Sequence, residues 1–592
     1  MDLSVNALKV LETRYLLKNE SGKVIETPQA MCRRVADYIA RPDDNYNHGS
    51  SYEGSREEFF RLISELDFVP NSPTLMNAGT PMKQLSACFV LPVEDSIEGI
   101  FDSLKHMALI HQSGGGTGFS FSRLRPKDDV VKSTGGVASG PVSFMRIFDQ
   151  ATEVVKQGGR RRGANMGLLR IDHPDIVEFI NMKRNSQQLN NFNISVGVTD
   201  AFMEALANGE NYNLISPRNH RAVQSLSAQE VFEHIVEAAW LNGDPGLIFL
   251  DEINRHNPTP QLGDIETTNP CGEQPLLPFE SCNLGSINLP RMLKGKEIDW
   301  AKLERTVKTA VHFLDNVIEM NSFPLPEIKE QSNRTRKIGL GVMGFADFLI
   351  AREIPYASDE AIQDAEAVMK FIADKAKEKS IQLAEKRGPF PAYYGSRLEK
   401  MGVPPIRNAT LTTIAPTGSI SIIAQASSGI EPLFAISFIR EILDGSQMLE
   451  TNPLFVQAAK DAGYYSEELM LQIAETGTIQ AIASIPEAHK KIFATALDIS
   501  PTWHIKMQAA FQKYIDNAVS KTVNLPNCAT RDHVKKLYLQ AYNLKCKGIT
   551  VFRYGSRDKQ VLYMGKLNPE NQVDYVKADA EESGGCQVCS LL

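Results

Sequence analysis

Apolar positions recur every three or four residues over 31–39 and again over 56–66, the period of helices that bury one face. A polar stretch over 43–55 separates them. Residues 1–70 therefore predict a helical N-terminal segment. From Asn71 onward the pattern changes: short apolar, β-branched runs alternate with longer helical ones, as in 247–250 after 228–241, and 411–415 before 420–424. Such alternation predicts an α/β body with parallel strand pairing over 71–560. Past Tyr563 the apolar positions thin out, and an acidic, small-residue run leads into Cys586-Gln587-Val588-Cys589. Residues 561–592 predict a flexible tail.

With 592 residues and 42% hydrophobic content, the chain can bury the core of one large catalytic domain with appendages. Its net charge of -8 argues against nucleic acid as a partner. Any phosphate site must then be built locally from loops and helix ends. The sequence lacks a signal-peptide pattern and an apolar run of about 18 residues, so a cytoplasmic protein without a membrane partner is expected. Eight cysteines are too sparse for a disulfide scaffold. A disulfide here would be a working one.

The densest chemistry lies in Asn269-Pro270-Cys271-Gly272-Glu273. In an extended loop alternate side chains share a face, so Asn269, Cys271 and Glu273 are expected to converge on one bound molecule. Pro270 stiffens this run, Gly272 permits close approach, and Pro275 and Pro278 hold the loop out of helix or central strand. Cys88 and Cys282 could complete a redox site. For Cys32, Cys528 and Cys546 the expectation is buried apolar filler. Cys586 and Cys589 have thioredoxin-like spacing without that fold, and no second pair completes a zinc site. A mobile dithiol that passes electrons to a buried disulfide is the better reading.

Three further runs are suggestive. The stretch from Thr412 to Ser421 passes from a strand pattern through Pro416-Thr417-Gly418 into small hydroxyl residues that open a helix, a junction suited to phosphate. It lacks a Walker lysine, and a capped turn without ligand stands beside the phosphate reading. Ser113-Gly114-Gly115-Gly116-Thr117-Gly118 misses the dinucleotide pattern because Phe119 stands where the third glycine belongs. Lys156, Arg160, Arg161 and Arg162 crowd a glycine-flanked loop, either a solvated surface or a clamp for phosphates and base edges. His106 and His111 are five apart and HExxH is absent, so no metal site is expected.

Taken in order from Asn71 to Asp558, these motifs resemble the catalytic chain of ribonucleotide reductases. The resemblance implies a ten-stranded barrel of two five-stranded parallel half-sheets, with Cys271 as a thiyl radical at the tip of a central finger loop. It implies that Glu273 takes the 3'-hydroxyl proton, that Asn269 hydrogen-bonds the sugar, and that Cys88 with Cys282 delivers two electrons as the 2'-hydroxyl leaves. A bridge between those two would close a long loop, for which chain entropy gives about 5 kcal/mol, yet cytosolic reductants oppose a permanent bond. Substrate contacts implied are Ser72, Ala87, Cys88, Gly116, Asn269, Pro270, Cys271, Gly272, Glu273, Pro416, Thr417, Gly418, Ser419 and Ile420. Asp95 and Ser96, with Lys156, Gln157, Arg160 and Arg161, resemble part of the dimer-interface site where a deoxynucleoside triphosphate effector sets substrate preference, and the Gly158 to Asn165 loop resembles the relay of that choice. A homodimer is the implied assembly.

The class follows from Thr550-Val551-Phe552-Arg553-Tyr554. Reductases fed by a radical subunit carry adjacent tyrosines there, whereas Phe552 and Arg553 occupy those positions here. Phe552 lacks the phenolic proton needed for such a relay. Lys521-Thr522-Val523-Asn524-Leu525-Pro526 and the opening Leu3-Ser4-Val5-Asn6-Ala7-Leu8 are similar to the class II enzymes, which use adenosylcobalamin. The expected reaction is reduction of ribonucleoside diphosphates to 2'-deoxyribonucleotides, DNA precursors, with a thioredoxin- or glutaredoxin-like partner re-reducing the tail dithiol. An ATP-cone domain is not expected before Asn71. The alternatives are a class I large subunit, a glycyl-radical relative and a non-catalytic nucleotide-binding regulator.

Overall fold

A computed structural model describes residues 3–46, 52–131, 135–157, 161–184, 189–441, 447–556, 562–563 and 577–579. Strands Cys88–Pro92, Gly116–Ser120, Asn165–Arg170, Phe192–Val198 and Gly246–Phe249 pair in that order, each parallel to the next. The sheet then turns antiparallel, with Leu247 opposite Ile549 on strand Gly548–Arg553. That strand runs parallel to Thr522–Leu525. On the other side, Cys88–Pro92 meets Ser281–Asn288 antiparallel, and Ser281–Asn288 runs parallel to Ile338–Met343. Parallel bridges from Leu340 to Thr412 and from Ile414 to Val519 close the circuit.

The result is the expected barrel of two parallel half-sheets joined antiparallel at both seams. Phe192–Val198 and Ser281–Asn288 are buried at every position, as strands covered on both faces must be. Outside, helices follow local sequence signals. Helix Ala228–Asn242 starts at Ser227, whose side chain accepts from the Glu230 amide, and stops at Gly243 in the left-handed region. The 411–415 run is an extended segment joined to its neighbours by single bridges.

The N-terminal segment is helical at Val5–Val10, Pro28–Ala40 and Tyr52–Ser64, with a π-helical turn at Leu11–Tyr15. Strand Phe68–Pro70 adds to Ser281–Asn288. Helix Trp300–Met320 packs its apolar face between this segment and the barrel, where Phe59, Phe68 and Phe313 meet edge to face. Cys32 and Cys546 are buried filler as expected. Cys528 is exposed, because it lies in the turn after strand Thr522–Leu525 and packs in no core.

Candidate active site

Inside the barrel stands a short antiparallel hairpin, Thr267–Thr268 against Pro275–Leu276. Its tip is the Asn-Pro-Cys-Gly-Glu run. This corrects the expectation of an extended loop. Pro275 is a strand residue, and the Gly272 amide donates to the Asn269 carbonyl at 3.1 Å with Gly272 at φ +81°. The functional side chains converge because the turn folds back, not because alternate positions share a face. The Asn269 side-chain oxygen accepts from the Gln274 amide at 2.9 Å, which leaves its Nδ2 to donate to Cys88 Sγ at 3.1 Å. Cys88 Sγ also lies 3.9 Å from Glu273 Oε1.

Both half-sheets grip the finger. Asn193 Nδ2 donates to the Pro270 carbonyl at 2.8 Å from one side. From the other, the Ala518 amide and the Thr413 hydroxyl donate to the Glu273 carbonyl at 2.9 and 3.0 Å. Room for the hairpin comes from the glycine cluster. A Cβ on Gly118 would sit 1.8 Å from the Thr268 carbonyl oxygen, and one on Gly116 would sit 3.0 Å from Pro270 Cγ. The cluster that failed as a dinucleotide motif is a packing surface for the finger.

Cys88 and Cys282 are Cα partners across the antiparallel seam. Opposed antiparallel residues have Cα atoms about 4.5–5.5 Å apart, within the span a disulfide can bridge. Both are thiols in this structure. Burial pushes the Cys282 thiol well above its ordinary pKa, with the carboxylates of Glu280 and Glu273 adding to that and Lys337 opposing it. Lys337 and Glu280 form a buried ion pair at 2.6 Å behind it.

Around this centre, Ser72, Ala87, Gly116 and Pro416 are each half-buried between buried sequence neighbours, and Cys271 with Gly272 form a half-buried pair between buried Pro270 and Glu273. Asn71, Thr74 and their neighbours hold Ser72 at the start of helix Ser72–Asn77, and the Asn71 amide donates to the Leu284 carbonyl. Ala415 packs with Cys88, Cys282 and Leu284. Four residues on, helix Gly418–Ala424 carries Ser419 and Ile420, preceded by Thr417 in the left-handed region, whose hydroxyl accepts from the Gly429 amide at 2.7 Å.

Asp95 and Ser96 stand at the start of helix Ile97–Ser113. Asp95 pairs with Arg125 at 2.9 Å, and Ser96 caps helix Ile97–Ser113 by accepting from the Gly99 amide. Lys156 and Gln157 pair with Arg162 and Arg161 in a two-residue hairpin beside that helix. Arg160, Cys586 and Cys589 lie outside the described residues. His111 is a core residue, its Nε2 2.9 Å from the Thr117 hydroxyl and its pKa pushed down to about 4 by burial. Among the described residues, no group of three or more His, Cys, Asp or Glu could hold a metal ion, and no helix is long and apolar enough to cross a membrane. Sequence reasoning missed Asn193, Thr413 and the Glu280–Lys337 pair. The only signal for Asn193 was a carboxamide between Phe192 and Ile194 in a run otherwise apolar or small.

Two family models match the chain: a ribonucleotide reductase barrel domain over residues 86–405 and 398–552, and a ribonucleotide reductase all-alpha domain over residues 1–83. A vitamin B12-dependent ribonucleoside-diphosphate reductase of Thermoplasma acidophilum is 54% identical, covering 95% of this chain and 81% of that protein. One of the same description from Mycobacterium tuberculosis is 50% identical over 99% of this chain and 82% of its own length. A solved structure, the Actinobacillus ureae class Id ribonucleotide reductase alpha subunit, superposes with TM-score 0.77 at 23% identity, covering 93% of this chain and 97% of that one. That likeness concerns the fold.

Proposed function

This chain belongs to the ribonucleotide reductase family, and from that premise we propose that it reduces ribonucleoside diphosphates to 2'-deoxyribonucleotides using adenosylcobalamin. The observation that carries the reading is the convergence at Cys88. Its sulfur is held by Asn269 and faces Glu273, its strand partner is Cys282, and Cys271 stands on the open side of the same turn.

In this reading the Cys271 sulfur, as a thiyl radical, takes the hydrogen atom from C3' of the bound ribose. Glu273 accepts the 3'-hydroxyl proton, a transfer worth typically 10²- to 10⁴-fold in rate. The 2'-hydroxyl leaves as water. Cys88 and Cys282 supply two electrons and two protons and become a disulfide, and Cys271 returns its hydrogen atom to C3'. Ribonucleotide and dithiol thus give deoxyribonucleotide, water and disulfide. The raised pKa of Cys282 keeps it a neutral thiol, able to give a hydrogen atom or a proton with an electron, until its turn comes. The dithiol of Cys586 and Cys589, served by a thioredoxin- or glutaredoxin-like protein, then reduces the buried bridge. Asp95, Ser96 and the 156–161 region belong, in this reading, to an effector site for a deoxynucleoside triphosphate at a homodimer interface.

The residues present fit the cofactor. Cys271 and Gly272 are the open part of a finger whose flanks, Asn269, Glu273 and Gln274, are buried, and a Cβ on Gly272 would meet nothing within 4 Å. Cobalamin carries its cobalt in the corrin ring, so no cluster of protein ligands is required. When bound, it supplies the initiating radical. Phe552 and Arg553 favour this over a subunit-borne radical: Phe552 is mostly buried, and Arg553 is engaged by Trp240, over whose ring it lies 4.2 Å from the centroid. Both named relatives are vitamin B12-dependent.

The test is anaerobic incubation of the purified protein with a ribonucleoside diphosphate and a small dithiol, with and without adenosylcobalamin. Deoxy product is expected only with the cofactor, and none from Cys271→Ser. Product formed without the cofactor, or by the serine variant, would overturn the reading.

A further inference from the structure

The N-terminal segment reaches into the candidate site. Helix Val5–Val10 packs against helix Gly418–Ala424 and ends in the π-helical turn Leu11–Tyr15, sealed by the Leu16 amide donating to the Leu11 carbonyl at 2.9 Å. A π turn inserts one extra residue and re-aims the side chains that follow, and such turns concentrate at functional sites. Here it delivers two consecutive residues to two sides of the candidate site. Arg14 Nη1 donates to the Ser419 hydroxyl at 3.3 Å, and the Tyr15 hydroxyl pairs with the Ser72 hydroxyl at 2.8 Å. A third tie, the Ser4 amide donating to Gln425 Oε1 at 3.1 Å, fixes the segment at the far end of the same helix.

Tyr15 is buried, whereas Arg14 and Ser419 are both half-buried and stay accessible. Ser419 lies four residues beyond Ala415, which packs on Cys88 and Cys282. In the reductase reading the sugar chemistry belongs at one end of the run 413–419, and the Arg14 guanidinium stands at the other. A guanidinium beside a hydroxyl is a donor set for a phosphate, since its planar fork matches two phosphate oxygens. In a chain of net charge -8, this cation stands beside the segment that leads from the Cys88–Cys282 cluster to Ser419, which suits the phosphate end of a nucleotide whose ribose is at Cys271 and Glu273.

We propose that Arg14 is a substrate-binding residue that takes the terminal phosphate of the ribonucleotide, so that the N-terminal segment, and not the barrel alone, reads the phosphate end of the substrate. This rests on the reductase reading given above. Tyr15 is the positioning residue: through Ser72 it holds the π turn so that Arg14 faces Ser419.

Equilibrium binding of cytidine diphosphate and of cytidine is measured on the full chain and on Arg14→Gln, Arg14→Lys and Tyr15→Phe, with thermal midpoints as a fold control. Arg14→Gln is expected to weaken diphosphate binding by roughly 10- to 100-fold, the loss of one charge-assisted hydrogen bond, and to leave cytidine binding within about 2-fold. Arg14→Lys restores part of the affinity. In turnover the loss appears mainly in KM. Equal weakening for both ligands, or a lower thermal midpoint with unchanged diphosphate affinity, makes Arg14 a structural tie and overturns the proposal. A protein that binds the diphosphate but forms no deoxy product with adenosylcobalamin refutes the reductase reading instead, and the Arg14 assignment is then decided by the binding ratio alone.

Discussion

Glu273 is held at its backbone, and its side chain faces a thiol of the site. Its carbonyl accepts from Ala518 and Thr413, which locks the peptide, while its carboxylate is directed toward Cys88. A proton acceptor fixed this way costs little ordering entropy at the moment of transfer. Glu273→Ala is therefore expected to lower kcat by about 10²- to 10⁴-fold with a small change in KM, measured as deoxy product against time at saturating substrate. Glu273→Gln, which keeps the shape and removes the basicity, should fall as far; recovery toward wild-type rates in that variant would reduce Glu273 to a shape-filling residue. At this scale the sequence was informative wherever the chemistry sat in one short run. Asn269, Cys271 and Glu273 were legible because three polar groups flank two rigid backbone positions. Asn193 and Thr413 were not, because a hydroxyl or carboxamide inside an extended run gives no local sign of the loop it will meet 77 or 140 positions away.

Elements were readable by period and misread where a turn decides geometry. Residues 228–241 and 247–250 carry their own helix and strand signals, and the structure forms Ala228–Asn242 and Gly246–Phe249. The finger was expected as an extended loop because its prolines argue against a central strand. A two-residue hairpin strand at the sheet's inner face needs no ladder partner beyond its mate, so Pro275 is tolerated there. The strand beneath the finger shows the converse lesson. Gly116, Thr117 and Gly118 belong to a cluster that misses the dinucleotide pattern, and the strand has small residues because another backbone crosses it. Gly118→Ala would drive a Cβ to 1.8 Å from the Thr268 carbonyl oxygen, a contact that only movement of the hairpin relieves. Since a shift of about 1 Å in a catalytic group costs roughly 10²-fold, Gly118→Ala is expected to lose at least that factor in kcat. Gly116→Ala, facing the edge of the Pro270 ring at 3.0 Å, should lose less. Steady-state rates of the two variants side by side decide it; equal, mild effects would mean that the finger is not held by this strand.

At the scale of the whole molecule, the N-terminal segment is tied to the barrel's outer helices by a buried charge network centred on Asp315. Asp315, on helix Trp300–Met320, is fully buried and meets Arg336 at 2.6 Å, Arg387 at 3.1 Å and Arg407 at 3.4 Å. Arg387, the last residue of helix Asp359–Arg387, also pairs with Asp43 of the N-terminal segment, which His312 approaches at 2.9 Å. Burial alone would raise both carboxyl pKa values. For Asp315 the three guanidinium charges overcome it and hold the group below the usual carboxylate range; for Asp43 the hydrogen bond and charge of His312, with Arg387, hold it at about 2. The sign of the linkage follows. A folded pKa below the unfolded value of about 3.9 contributes stability that is present above that value and is lost as pH falls through the folded pKa. The wild-type chain should therefore lose stability steadily below about pH 4. Asp315→Asn leaves three buried guanidiniums facing a neutral amide, and breaking a buried pair from one side typically costs about 3–5 kcal/mol. Denaturant midpoints at pH 7 and at pH 3 are the measurement: the variant should be less stable at pH 7 and should lose less on acidification, because one of the two groups whose linkage acts in that window is gone and only Asp43 remains. An unchanged midpoint at pH 7, or an acid loss equal to that of the wild type, would show that the network positions the segment without holding it.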